Sequence, residues 1–197
     1  LIIRQEAAVI LARAFGLQAK SKAAADKFSD SGEIASWAKE PVSAMVENGY
    51  IAGRPGNVFA PLDIITRAET VKMIDNVMGE LKNIAGIYTG SVGGNLVVNT
   101  AGVELRDMVI AGNLYLTEGI ADGDVVLDGV IVKGNTFIAG GGKDSITIKN
   151  SSLEGTAVVL KVDGKIRIVA MGSTDIAKLQ LHSGATLQET GLTGTGF

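Results

Sequence analysis

Val103-Glu104-Leu105-Arg106, Val125-Val126-Leu127-Asp128, Ile146-Thr147-Ile148-Lys149, Ile166-Arg167-Ile168-Val169 and Ala185-Thr186-Leu187-Gln188 are five short runs whose starts lie 22, 21, 20 and 19 residues apart. A second set, Asn113-Leu114-Tyr115-Leu116, Asn135-Thr136-Phe137-Ile138, Thr156-Ala157-Val158-Val159 and Ala177-Lys178-Leu179-Gln180, starts 22, 21 and 21 residues apart. Two tracks sharing a period of roughly 21 residues identify a solenoid, because a unit this short cannot bury its own apolar face and must stack on its neighbours. β-branched residues bounded by Gly, Asn and Asp make the units strands rather than helices. The expected architecture over residues 86–197 is a parallel β-helix of about five coils, right-handed on the chirality preference of parallel crossovers.

Within the first track Leu105, Leu127, Ile148, Ile168 and Leu187 form an inward stack, flanked by Val103, Val125, Ile146, Ile166 and Ala185. The residues between them point outward. Arg106, Asp128 and Lys149 then lie one above another with alternating sign, a surface device that stabilises only weakly. An interior coil needs every backbone N–H for its neighbours, and residues 86–197 contain no proline.

The whole chain has 197 residues, 18 basic and 21 acidic side chains, a net charge of -3, 26 Gly, 3 Pro and no Cys. These totals hide a break near residue 85. Residues 1–85 hold all three prolines (Pro41, Pro55, Pro61) and six glycines, whereas residues 86–197 hold twenty glycines and account for the whole net charge. An α+β chain in two parts follows, a helical segment at 1–85 and the solenoid at 86–197. The near-balanced charge supplies no long-range field of the kind nucleic-acid binders carry, so no nucleic-acid partner is expected. No apolar run is long enough to span a bilayer. The lack of cysteine excludes disulfide frameworks, thiolate zinc sites, iron–sulfur clusters and cysteine nucleophiles. The chain starts at Leu1 with neither an initiator Met nor a signal segment, and reads as a piece of a longer protein whose solenoid is incomplete at its C-terminus.

In the first part, Ala7, Ile10, Leu11, Ala14 and Phe15 recur at helical spacing, and Gly16 ends the pattern. Thr66-Arg67-Ala68-Glu69 has the form of a capping box, after which Val71, Ile74, Val77 and Leu81 continue as a buried stripe. Trp37, Val42, Met45 and Val46 suggest a third helix closed by Asn48-Gly49. Pro41 fits a first helical turn and not an interior, which predicts a late start or a kink. Arg54-Pro55-Gly56-Asn57 reads as a turn and Phe59-Ala60-Pro61 as an extended return.

The run Phe28-Ser29-Asp30, Ser36-Trp37-Ala38-Lys39-Glu40, Glu47-Asn48-Gly49-Tyr50-Ile51-Ala52-Gly53, Phe59-Ala60-Pro61, Ile65-Thr66-Arg67-Ala68-Glu69 closely resembles one complete S-layer homology (SLH) repeat. Ile2-Ile3-Arg4-Gln5-Glu6 resembles the tail of a preceding repeat, making about one and a half. Ile3 replaces the motif's capping Thr, and Arg54-Pro55-Gly56 replaces its aromatic-Pro-Asp-Gly turn. The resemblance implies non-covalent anchoring of an extracellular protein to secondary cell-wall polysaccharide, often pyruvylated, in an S-layer or wall setting. The family usually arranges three repeats as a three-pronged spindle. By the same resemblance Arg67 and Arg4 occupy the motif's arginine positions, and Trp37 and Gly53 line its grooves. Such a site has plain physics: a guanidinium holds a sugar carboxylate bidentately, and an indole packs on the C–H face of the ring. Arg67 also reads as a solvated first-turn residue, and Trp37 as a core anchor between helices.

Parallel β-helices include polysaccharide lyases and hydrolases, which need clustered carboxylates or calcium. The nearest candidates are Asp122, Asp124 and Asp128, but the first two occupy a turn and the third belongs to the charge ladder. His182 has no evident base or metal partner. Gly140-Gly141-Gly142-Lys143-Asp144 lacks the first Gly of a phosphate loop and the Ser or Thr after Lys, so no nucleotide site is expected. The expected protein is thus a non-enzymatic surface protein without cofactor, metal or catalytic residue, its solenoid a stalk or platform. An anchored polysaccharide-active enzyme is the alternative. A self-assembling subunit is the third reading, with uncapped solenoid ends stacking head-to-tail into a homo-oligomer.

Overall fold

Gly16 and the Thr66–Glu69 pair mark where helices stop and start. The structure, a computed structural model, describes residues 1–143 and 146–197. It divides into two compact units, Leu1–Val77 and Met78–Phe197. In the first, α1 (Arg4–Ala14) closes with Gly16 at φ 62°, its N–H on the Arg13 carbonyl and that of Leu17 on the Ala12 carbonyl. Glycine adopts this left-handed cap at no steric cost. α2 (Ser36–Glu47) buries Ala38, Val42, Met45 and Val46. α3 (Arg67–Met78) opens on a reciprocal capping box, in which Thr66 N–H donates to Glu69 Oε2 at 3.0 Å and Glu69 N–H to Thr66 Oγ1 at 3.2 Å.

Two sequence expectations for these helices are corrected. Of the two consequences expected of Pro41, the late start does not occur, since α2 begins at Ser36 and carries the proline inside it; proline has no N–H to donate to the carbonyl of Trp37, four residues before it. The buried stripe of α3 consists of Met73 and Val77, which join the Phe59 and Met45 core, while Val71 and Ile74 are exposed and Leu81 lies beyond the helix. Both faces of α3 carry apolar residues, so spacing alone does not select one, and packing does.

In chain order the strands of the second unit are β1 (Glu80–Lys82), β2 (Gly86–Val92), β3 (Leu96–Val98), β4 (Val103–Ile110), β5 (Leu114–Leu116), β6 (Val125–Asp128) and β7 (Ile131–Val132). They continue as β8 (Thr136–Ile138), β9 (Ile146–Lys149), β10 (Ser152–Val159), β11 (Ile166–Gly172), β12 (Asp175–Leu181) and β13 (Ala185–Leu192). The result is a parallel β-solenoid of about five turns. The first track stacks β2, β4, β6, β9, β11 and β13, and the second stacks β1, β3, β5, β8, β10 and β12. A third, short track joins Val92, Ile110, Val132, Leu153 and Ile176, one per coil. Inward side chains of the tracks form one continuous core.

Register departs from the sequence alignment at two steps. Ile146 pairs with Ile168 rather than Ile166, an even slip that keeps the same face inward. Ala157 pairs with Leu179 rather than Lys178, a slip of one that would reverse every side chain. An irregularity in β10 between Leu153 and Thr156 absorbs it and brings apolar Leu179 toward the core in place of the charged Lys178. One corner is an asparagine ladder: Asn95 Oδ1 accepts from Asn113 N–H, Asn113 Oδ1 from Asn135 N–H and Asn135 Oδ1 from Thr156 N–H, at 2.8, 2.8 and 2.9 Å. Coils approach closely there. A Cβ on Gly134 would lie 2.5 Å from Asn113 Oδ1 and 2.6 Å from the Gly112 carbonyl oxygen.

Candidate functional site

The motif residues of the helical unit fall into an internal network and an exposed pair. Arg4 is buried, with Nη1 donating to Glu69 Oε1 at 2.9 Å, Nη2 to the Ala52 carbonyl at 3.0 Å, and the Phe59 ring centre 5.5 Å away. Arg54 Nε donates to the same Glu69 oxygen at 2.9 Å, and its Nη1 to Asp63 Oδ2 at 2.5 Å. α1 lacks the side-chain half of its cap because Ile3 carries no acceptor. Glu6 still takes the Ile3 N–H at 3.0 Å, while the Arg4 and Gln5 N–H groups donate to the carbonyls of Asp63 and Pro61. Asp30 accepts from Phe59 and Ala60 N–H at 2.8 and 2.6 Å, holding the return loop.

Glu69 is the hub. The hydrogen bond from Arg54 is the largest cause holding its carboxyl at about 2; burial opposes this, and the Thr66 capping bonds and the Arg4 charge add to it. Burial lowers the Arg4 guanidinium from its ordinary value, against the attraction of Glu69. A carboxyl whose folded value is depressed stabilises the fold above its unfolded value and loses that contribution as pH falls through the folded one. Unfolding free energy of the helical unit is therefore expected to drop between about pH 5 and 2, by about 1–2 kcal/mol from this group after solvent screening on its open side. Denaturant melts followed by helical circular dichroism at stepped pH check this, and Glu69→Gln should flatten the decline.

Of the four residues implied as polysaccharide contacts, Arg4 and Gly53 lie in or against this network. Gly53 follows Ala52, and a Cβ there would stand 3.0 Å from the Phe28 ring, so the glycine serves packing. Arg67 and Trp37 are exposed, the indole at 51%. Trp37 is thus not the core anchor that helix packing alone suggests. Arg67 borders a depression of about 360 Å³ with Ile65, Thr70 and Val71, and Trp37 borders one of about 330 Å³ with Val9 and Ile10. Ile2 lines both. Arg67 enters no ion pair among the described residues. Sequence reading missed Arg54, which it took for a departure from a turn motif; only the fold shows it clamping a carboxylate fifteen residues away.

On the solenoid, the charge ladder forms in part. Lys149 Nζ pairs with Asp128 at 3.0 Å, but Arg106 turns to Glu104 on its own strand at 2.5 Å. Asp122 is held by Lys161 at 2.6 Å, and His182 is exposed. Asp144, of the glycine-rich run, lies outside the described residues.

Residues 27–71 match the family model described as the S-layer homology domain. This segment is an SLH domain. The chain is also 36% identical over 86 residues to the exoglucanase XynX of Acetivibrio thermocellus, a match covering 42% of this chain and 8% of that protein. It is 35% identical over 86 residues to an amylopullulanase of Thermoanaerobacterium thermosulfurigenes, covering 42% and 5%. The chain therefore spans less than a tenth of either relative, and both matches fall on the SLH region. No solved structure matches. SLH domains bind secondary cell-wall polymers, and the match supports a wall-anchoring role at the cell surface. No helix among the described residues is long and apolar enough to cross a membrane.

Proposed function

We propose that the SLH unit holds a carboxylate-bearing, pyruvylated wall polysaccharide through Arg67 and Trp37, and that the solenoid it carries is a non-enzymatic stalk or platform. Arg67, exposed at the first position of α3 and in no ion pair among the described residues, carries the reading. A cation at the positive end of a helix costs about 0.3–1 kcal/mol, so the position is unfavourable for folding and suited to meeting an anion. Trp37 offers its ring face to sugar C–H groups across the depressions that share Ile2. Arg4 and Gly53 support these contacts from within by fixing the loop at Ala52 and the packing of Phe28. Head-to-tail stacking of solenoids belongs to the same proposal.

Retention on purified wall polysaccharide tests the site. Arg67→Ala with Trp37→Ala is expected to abolish pulldown while helical circular dichroism is unchanged, since both side chains are exposed. Retention equal to that of the parent chain sinks the assignment. Light scattering that finds only monomer at high concentration removes the stacking.

A further inference from the structure

Arg54 lines neither depression beside Arg67 and Trp37, yet it reaches both ends of the segment that presents Arg67. Its Nε donates to Glu69 Oε1 at 2.9 Å and its Nη1 to Asp63 Oδ2 at 2.5 Å. The chain between those two carboxylates supplies Ile64, Ile65 and Arg67 to the depression of about 360 Å³. One guanidinium is thus a chord across the turn from extended chain into α3. The planar fork suits this task, because Nε and Nη1 point in fixed directions and two acceptors bound to them are held in one geometry.

Backbone ties from the same segment run to residues 2–4. Arg4 N–H donates to the Asp63 carbonyl at 2.9 Å, Ile65 N–H to the Ile2 carbonyl at 3.1 Å, and Ile3 and Ile64 form an antiparallel bridge. Leu1 and Ile2, on that side, are exposed. Arg54 instead reaches from a fastened base: its N–H donates to the Val58 carbonyl at 2.8 Å, and Ser29 N–H to the Asn57 carbonyl at 3.0 Å ties that turn to the loop before α2. Asp63 makes its only ion pair among the described residues with Arg54. We propose that Arg54 is a positioning residue of the wall-polysaccharide site, acting through Asp63 and Glu69 to fix the direction in which α3 presents Arg67 and the place of Ile64 and Ile65 beside it. This rests on the anchoring reading given above.

Titration calorimetry of the full chain with purified wall polysaccharide tests it. Arg54→Lys keeps the charge between the carboxylates and loses the fork, and is expected to weaken binding by about threefold to tenfold, with helical circular dichroism unchanged. Asp63→Asn, on an exposed side chain that folding does not need, should weaken binding too, whereas a role confined to neutralising Asp63 would make it tighter. Arg54→Lys should also couple to Arg67: combined with Arg67→Lys, the two losses should fall short of their product by about threefold or more, because a misdirected Arg67 has less to lose. Combined with Trp37→Ala, on α2, the losses should multiply, which a general loosening of the fold would not allow. Binding equal to the parent's by Arg54→Lys, or equal or tighter binding by Asp63→Asn, overturns the proposal. Losses that multiply with Arg67→Lys, or coupling as large to Trp37 as to Arg67, overturn it as well. Full binding by Arg67→Ala is a different failure, which sinks the anchoring site itself and the positioning role with it.

Discussion

Glu69→Ala is expected to destabilise the helical unit by about 3–5 kcal/mol, the cost of leaving a buried charge without its partner. Arg4 is 5% exposed and keeps the Ala52 carbonyl and the Phe59 ring, but no anion, once the carboxylate is gone. Arg54 loses one of its two acceptors, and α3 loses the acceptor for the Thr66 N–H. Urea unfolding followed by helical circular dichroism measures the effect. Emission from Trp37, the single tryptophan, reports on this unit separately from the solenoid. A double-mutant cycle sharpens it: Arg4→Met alone should also be costly, but Arg4→Met with Glu69→Ala should cost less than the sum, because the second change removes the unpaired charge left by the first. Additive costs, or a Glu69→Ala penalty under about 1 kcal/mol, would show that the guanidinium is compensated elsewhere and that Glu69 is no hub.

That hub was only half legible beforehand. The Thr66 to Glu69 spacing announces a capping box, and the box is there; nothing local announces that the same carboxylate also closes on two arginines from residues 4 and 54. Long-range ion pairs have no period. The solenoid is the reverse case, since its stack repeats and its tracks can be aligned by eye. Even so, the two-residue β7 was too short to show as a track, and the irregularity in β10 moved the last inward position from Lys178 to Leu179. Tyr115 and Phe137 occupy equivalent places in the aligned runs, so their stacking was available from sequence.

The solenoid itself is expected to be unequal along its length. Leu127 is fully buried on β6, paired with Leu105 on one side and Ile148 on the other. Leu127→Ala should cost about 4 kcal/mol, toward the upper end for a buried leucine, because backbone hydrogen bonds fix the coil spacing and keep the walls from closing on the cavity. Leu187, on β13 in the neighbouring inward column of Val125, Ile146 and Ile168, pairs with Ile168 and is 38% exposed. Leu187→Ala should cost about 1 kcal/mol or less, since little of that side chain leaves water on folding. In a stack held by nearest-neighbour contacts, a central loss weakens two interfaces and a terminal loss one. Denaturant unfolding monitored in the strand region of the circular dichroism spectrum should therefore separate the two variants clearly at low protein concentration. If Leu187→Ala approaches the cost of Leu127→Ala as concentration rises, the outer face of β13 is buried against another copy.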